Sequence, residues 1–191
     1  MPLPLVVPPA PADFSPLPPL TVLVGGARSG KSRLAEAMVR ASGACRATYI
    51  ATAQAWDDEM AARIAVHRER RDGFWRTVEE PLHLCRVLPQ VQPGEPVLVD
   101  CLTLWLTNQM LAEPPRDPDF AITDLVRLLA AVPAPVVLVS NEVGLGIVPD
   151  TPLGRCFRDH AGRLNQRVSE AADRVIFVAA GYPVILKNIQ R

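Results

Sequence analysis

Lysine is nearly missing from this chain. Of its 20 basic residues only Lys31 and Lys187 are lysine, and the rest are arginine. Net charge is missing too, since 20 Lys and Arg balance 20 Asp and Glu. That balance argues against a general nucleic-acid binder or a membrane-surface protein. The four cysteines, Cys45, Cys85, Cys101 and Cys156, form no C-x-x-C pair. Their spacing excludes a paired-cysteine zinc site and a disulfide framework, and points to a reducing, cytoplasmic setting. No apolar run reaches the roughly 18 to 20 residues of a membrane span. The N-terminus lacks the basic stretch of a secretory signal, and no internal repeat is visible.

What remains is globular: 191 residues, 49% apolar and 21% charged, enough for one domain with a sizeable core. Residues 1–19, MPLPLVVPPAPADFSPLPP, read as a proline-rich, poorly ordered extension, because proline supplies no backbone donor to helix or sheet. The domain itself is expected over 20–191. Short apolar runs of β character, at 21–25, 47–52, 75–80, 96–102, 134–140, 174–181 and 183–187, alternate with helical patterns. Those helices are expected at 30–42, 57–71, 81–88, 103–112, 119–131 and 152–172. Buried strands separated by helices predict an α/β fold with a mostly parallel central sheet covered on both faces. AEPPRDPD (112–119) reads as a surface loop.

Gly25, Gly26, Ala27, Arg28, Ser29, Gly30, Lys31 and Ser32 spell G-x4-G-K-S in full, after a strand and before a helix, which is the context this phosphate-binding motif requires. Glycines let the backbone curl its N–H groups toward phosphate oxygens, and the helix N-terminus adds positive potential. Lys31, one of only two lysines, is suited to the outer phosphates as a mobile point charge. The Ser32 hydroxyl is a magnesium ligand in this pattern.

Asp100, ending the apolar run VLVD, reads either as the second magnesium-side acid beside that loop or as a helix cap. Glu142, after VVLVSN, orients a water or substrate or merely shapes a turn. In DDEMAARIAVHRERR (57–71), Glu59, Arg63, His67 and Arg70 or Arg71 share one helical face. A solvated salt-bridge face explains such a pattern. So does phosphate handling, because neighbouring arginines disfavour imidazolium and match phosphate oxygens. His83 and His160 lack that setting.

In combination, GGARSGKS (25–32), YIATAQAWDDEMAARIAVHRERR (49–71), WRTVEEP (75–81), VDCLTLWLTN (99–108), SNEVGLGIVP (140–149) and FRDHAGRLNQR (157–167) resemble one family. It is the bifunctional adenosylcobinamide kinase/adenosylcobinamide-phosphate guanylyltransferases of cobalamin biosynthesis. The resemblance implies a P-loop NTPase fold of RecA-like, three-layer type, with ATP and GTP as substrates, Mg2+ as cofactor, a corrinoid acceptor and a homotrimer. It implies phosphorylation of adenosylcobinamide, then transfer of GMP from GTP through a guanylylated histidine to adenosylcobinamide phosphate. By motif position that histidine is His67. The nucleotide contacts it implies are the phosphate loop with Lys31, Ala51, Thr52 and Ala53, Arg68, Glu69, Arg70 and Arg71, Glu79, and Asp100; Ser32 and Asp100 are the magnesium side. Trp56, Trp105 and the NEVGLGIVP loop are candidates for the corrinoid surface. Taken without the resemblance, the phosphate loop also suits another small-molecule kinase or ATPase, or a non-catalytic nucleotide-binding module.

Overall fold

The computed structural model describes residues 14, 16–55, 58, 62, 65, 68, 71–114 and 116–189. Seven strands form one sheet in the order β3-β2-β4-β5-β1-β6-β7. They are β1 (Leu20–Gly25), β2 (Ala47–Ala51), β3 (Trp75–Glu79), β4 (Val97–Asp100), β5 (Val136–Asn141), β6 (Arg174–Ala179) and β7 (Tyr182–Asn188). Every neighbouring pair is parallel except β6 and β7, which form an antiparallel hairpin. The helices are α1 (Lys31–Arg40), the single turn α2 (Leu84–Val87), α3 (Leu102–Met110), α4 (Pro118–Leu129) and α5 (Pro152–Ala171).

Alternation along the strands separates two cores, because successive side chains of a strand point to opposite faces. Val22, Val24, Ile50, Val97, Val99 and Leu138 bury one face under α2, α3, α4 and α5. Leu23, Tyr49, Leu98, Val137, Val139 and Ile176 bury the other under α1. Three layers result, and the central strands are apolar throughout because both faces are covered. No helix among the described residues is long and apolar enough to cross a membrane.

Two sequence expectations shift. The helix expected at 81–88 shrinks to Leu84–Val87, followed by a 3-10 turn over Leu88–Gln90. The chain is non-helical at His83, φ −105° and ψ 50°, after a turn in which Glu80 accepts the Leu82 and His83 N–H groups, and Pro89 has no N–H to extend the helix. Within the proline-rich lead, Phe14 is buried in the α1-side core, and its carbonyl accepts a hydrogen bond from Arg174 at 2.9 Å. Of the expected helix at 57–71, Asp58, Ala62, Ala65 and Arg68 are helical. His67, Glu69, Arg70 and Trp56 lie outside the described residues.

Candidate active site

The phosphate loop leaves the interior strand β1 and turns into α1. Gly25 is required by close approach: a Cβ there would stand 2.3 Å from the Val178 carbonyl oxygen of β6. Gly30 caps α1 with φ 97°, a conformation that costs glycine little. Arg28 also has positive φ, 58°. The loop is held from three sides. Ser29 N donates to Gly26 O, Gly181 N in the β6–β7 turn donates to Ser29 O at 2.9 Å, and Glu142 N donates to Gly25 O at 3.0 Å. The Ser29 hydroxyl is buried and has no hydrogen-bond partner among the described residues, the kind of atom a bound phosphate satisfies.

Lys31 is buried, and its ammonium donates to Gly26 O at 3.0 Å. Burial lowers its pKa, while the neighbouring Cys101 and Asp100 act in the opposite direction. Both oxygens of Asp100 are engaged. Ser32 Oγ donates to Oδ1 at 3.3 Å and Tyr49 OH donates to Oδ2 at 2.7 Å. Burial, and then the negative charge of Asp100, push the Tyr49 phenol far above its ordinary range, so it remains a donor. Ser32 and Asp100 supply adjacent hard oxygens beside the phosphate loop. Magnesium takes one or two such protein groups and completes its shell with phosphate oxygens and water, so this donor set fits it.

Glu79, Ala51 and Asp100 are level across three adjacent strand ends, Ala51 lying opposite both others. Thr52 next to them serves the frame with every polar atom. Its hydroxyl bonds both N and O of Cys101, its N–H reaches Asp100 O, and its carbonyl accepts the Asn108 amide. Ala53 follows in the loop after β2. Arg68 pairs with Glu79, and the Arg71 guanidinium lies 3.8 Å over the Tyr49 ring. Both arginines therefore meet the sheet at the edge that carries Asp100. Glu142 turns its carboxylate back to accept from Gly144 N. Trp105 is buried, its indole N–H donating to Leu82 O. His160 contacts Arg163 and Asp119.

Tyr49, hydrogen-bonded to Asp100, is a residue of this site that sequence reasoning missed. A tyrosine in a strand buried on both faces must find a partner for its hydroxyl, and an acid ending a neighbouring strand was an available one. Thr103 was missed as well. Its hydroxyl accepts from Asn141 N at 2.7 Å and shares a hydrogen bond with Ser140, fixing the end of β5 beside the loop.

A phosphate loop after the interior strand β1, an acid ending β4, and β5 inserted between those two strands define a P-loop NTPase of RecA-like order. The family described as cobinamide kinase / cobinamide phosphate guanyltransferase matches residues 21–186. The bifunctional adenosylcobalamin biosynthesis protein CobP of Pseudomonas aeruginosa is 50% identical over 168 residues, covering 87% of this chain and 96% of that protein. The corresponding CobU of Salmonella typhimurium is 44% identical over 182 residues, covering 88% and 99%. Among solved structures, a Pyrococcus horikoshii OT3 protein superposes with TM-score 0.50 at 11% identity, over 90% of this chain and 87% of that one. The chain belongs to the cobinamide kinase / cobinamide phosphate guanyltransferase family and is a bifunctional enzyme of that kind.

Proposed function

We propose that the enzyme phosphorylates adenosylcobinamide with ATP or GTP and then guanylylates adenosylcobinamide phosphate through His67. In the second reaction a neutral His67 nitrogen attacks the α-phosphorus of GTP, a P–N bond forms and pyrophosphate leaves. The phosphate of the acceptor then attacks the same phosphorus, the P–N bond breaks, and adenosylcobinamide-GDP is released with the histidine regenerated. Lys31 and the loop N–H groups hold the phosphates and take up charge on departing pyrophosphate. Ser32 and Asp100 would hold a magnesium ion, which would supply charge neutralisation on the phosphate oxygens. Glu69, Arg70 and Arg71, with Arg68 and Glu79, complete the nucleotide contacts together with Ala51, Thr52 and Ala53.

The observation that carries this reading is the contact of Arg71 with Tyr49, whose hydroxyl bonds Asp100. His67 stands four residues before Arg71 and one before Arg68 in the sequence, and those two arginines reach Tyr49 and Glu79. Further support comes from the bare aliphatics of the 143–148 loop, Leu145 and Ile147, and from the exposed Val184 and Leu186 of the edge strand β7. Such surfaces suit a homotrimer and a large amphipathic acceptor. The four free thiols suit a reducing cytoplasm.

The test is incubation with GTP labelled at the α-phosphate. Acid-labile label is expected on the wild-type chain, chased by adenosylcobinamide phosphate, and absent from His67→Ala while kinase turnover persists. Equal labelling of His67→Ala would remove the covalent role. A kinase without a nucleotidyl intermediate, or a non-catalytic module, would leave the wild type unlabelled.

A further inference from the structure

A second concavity, about 450 Å³, lies among residues 82–86, α3, the 111–117 loop and the first turns of α4. None of the nucleotide-site residues lines it. Its floor is fixed, because Trp105 and Gln109 both donate to the Leu82 carbonyl. At its rim Phe120 is 72% exposed, a bare aromatic on the first turn of α4. The Arg86 and Arg116 side chains face the same space, and neither makes a hydrogen bond or ion pair among the described residues. Asp117, whose carboxylate caps α4, and Asp124, to which the Cys85 thiol hydrogen-bonds, bring carboxylate oxygens with further acceptor capacity to the same lining.

That mixture selects a ligand chemistry. A phosphate gains nothing from two carboxylates, and a hydrocarbon gains nothing from two guanidinium groups. A neutral carboxamide uses both, with its carbonyl on arginine and its NH2 on aspartate. The exposed phenyl ring adds an apolar wall. Position agrees with this chemistry. The Asn108 amide bonds both Thr52 O and Pro81 O, tying the cavity wall to the loop after β2. Both of those stretches follow carboxyl ends of strands, where ligands of open α/β sheets bind. From Leu102 to Gln109 is seven residues, or about 10 Å along α3, so the cavity lies within a macrocycle's reach of Asp100.

We propose that this cavity seats one carboxamide-bearing edge of the corrinoid. Phe120 packs on its apolar rim, and Arg86 and Arg116 donate to amide carbonyls. The corrin is larger than the cavity, so its hydroxyl arm extends toward Lys31. This inference rests on the kinase and guanyltransferase reading above and adds where the acceptor is held.

Equilibrium dialysis of cobinamide, read by the corrin's own absorbance, tests it on wild type, Phe120→Asp and the Arg86→Ala/Arg116→Ala pair. These are surface residues, and binding of a fluorescent nucleotide on the same preparations reports an intact fold. Cobinamide affinity is expected to fall roughly tenfold in each variant, with the KM for cobinamide rising to match. Wild-type affinity in both variants would overturn the subsite and leave the enzyme reading standing. Absence of both cobinamide binding and turnover in the wild type would overturn the two together.

Discussion

Asp100 receives one hydroxyl on each oxygen, Ser32 on one side and Tyr49 on the other. A carboxylate held at both ends keeps its orientation, so under the proposed magnesium role Tyr49, though 1% exposed, would position Asp100. Groups that orient metal ligands typically matter 10–100-fold in metal affinity. Tyr49→Phe keeps the ring under Arg71 and removes only the hydroxyl. The Mg2+ concentration at half-saturation of nucleotide binding is then expected to rise about tenfold, with nucleotide affinity in EDTA unchanged. A titration midpoint equal to wild type would show that Tyr49 serves packing alone. At this scale the sequence made the phosphate loop legible, because its residues dictate their own backbone. The rarity of lysine singled out Lys31 as well. Partners that meet only across the sheet, such as Tyr49 with Asp100 or Thr103 with Asn141, carry no local pattern.

Elements were legible where a period and a cap coincided. α5 begins with Thr151 accepting from Gly154 N and with Pro152 at its first turn, both ordinary start signals. Its apolar residues Ala161, Leu164 and Val168 then recur at helical spacing on the buried side. Thr151→Ala is expected to cost about 1 kcal/mol, measured as a lower urea midpoint with unchanged slope. A midpoint within error of wild type would mean the cap contributes nothing here. α2 was overestimated for a local reason. The Glu80 carboxylate accepts the Leu82 and His83 N–H groups in a turn, and His83 is non-helical at φ −105° and ψ 50°, a local side-chain-to-backbone arrangement that apolar periodicity does not register.

Across the whole molecule, strand order was not legible. The sequence signalled parallel strands, but nothing in it says that β5 separates β1 from β4, or that β7 runs against β6. That order follows from loop closure and packing, which involve residues more than a hundred positions apart, as in Leu20 opposite Val136. The N-terminal boundary was hidden similarly. Phe14 sits in a segment whose composition suggests a poorly ordered extension; it is 3% exposed, and its carbonyl accepts from Arg174. Phe14→Ala is expected to destabilise the domain by about 3 kcal/mol, read by equilibrium denaturation. A loss below about 1 kcal/mol would mean that the site collapses around the missing ring.

The strand that delivers the phosphate loop is the first to be synthesised, yet its two neighbours, β5 and β6, are among the last. The glycine that braces the loop, Gly181, comes later still. A ribosome-bound chain stalled before that point therefore carries the complete motif without the scaffold that shapes it. Triphosphate capture by a nascent chain is expected to require the closing hairpin, and chains truncated before Gly181 are expected not to bind.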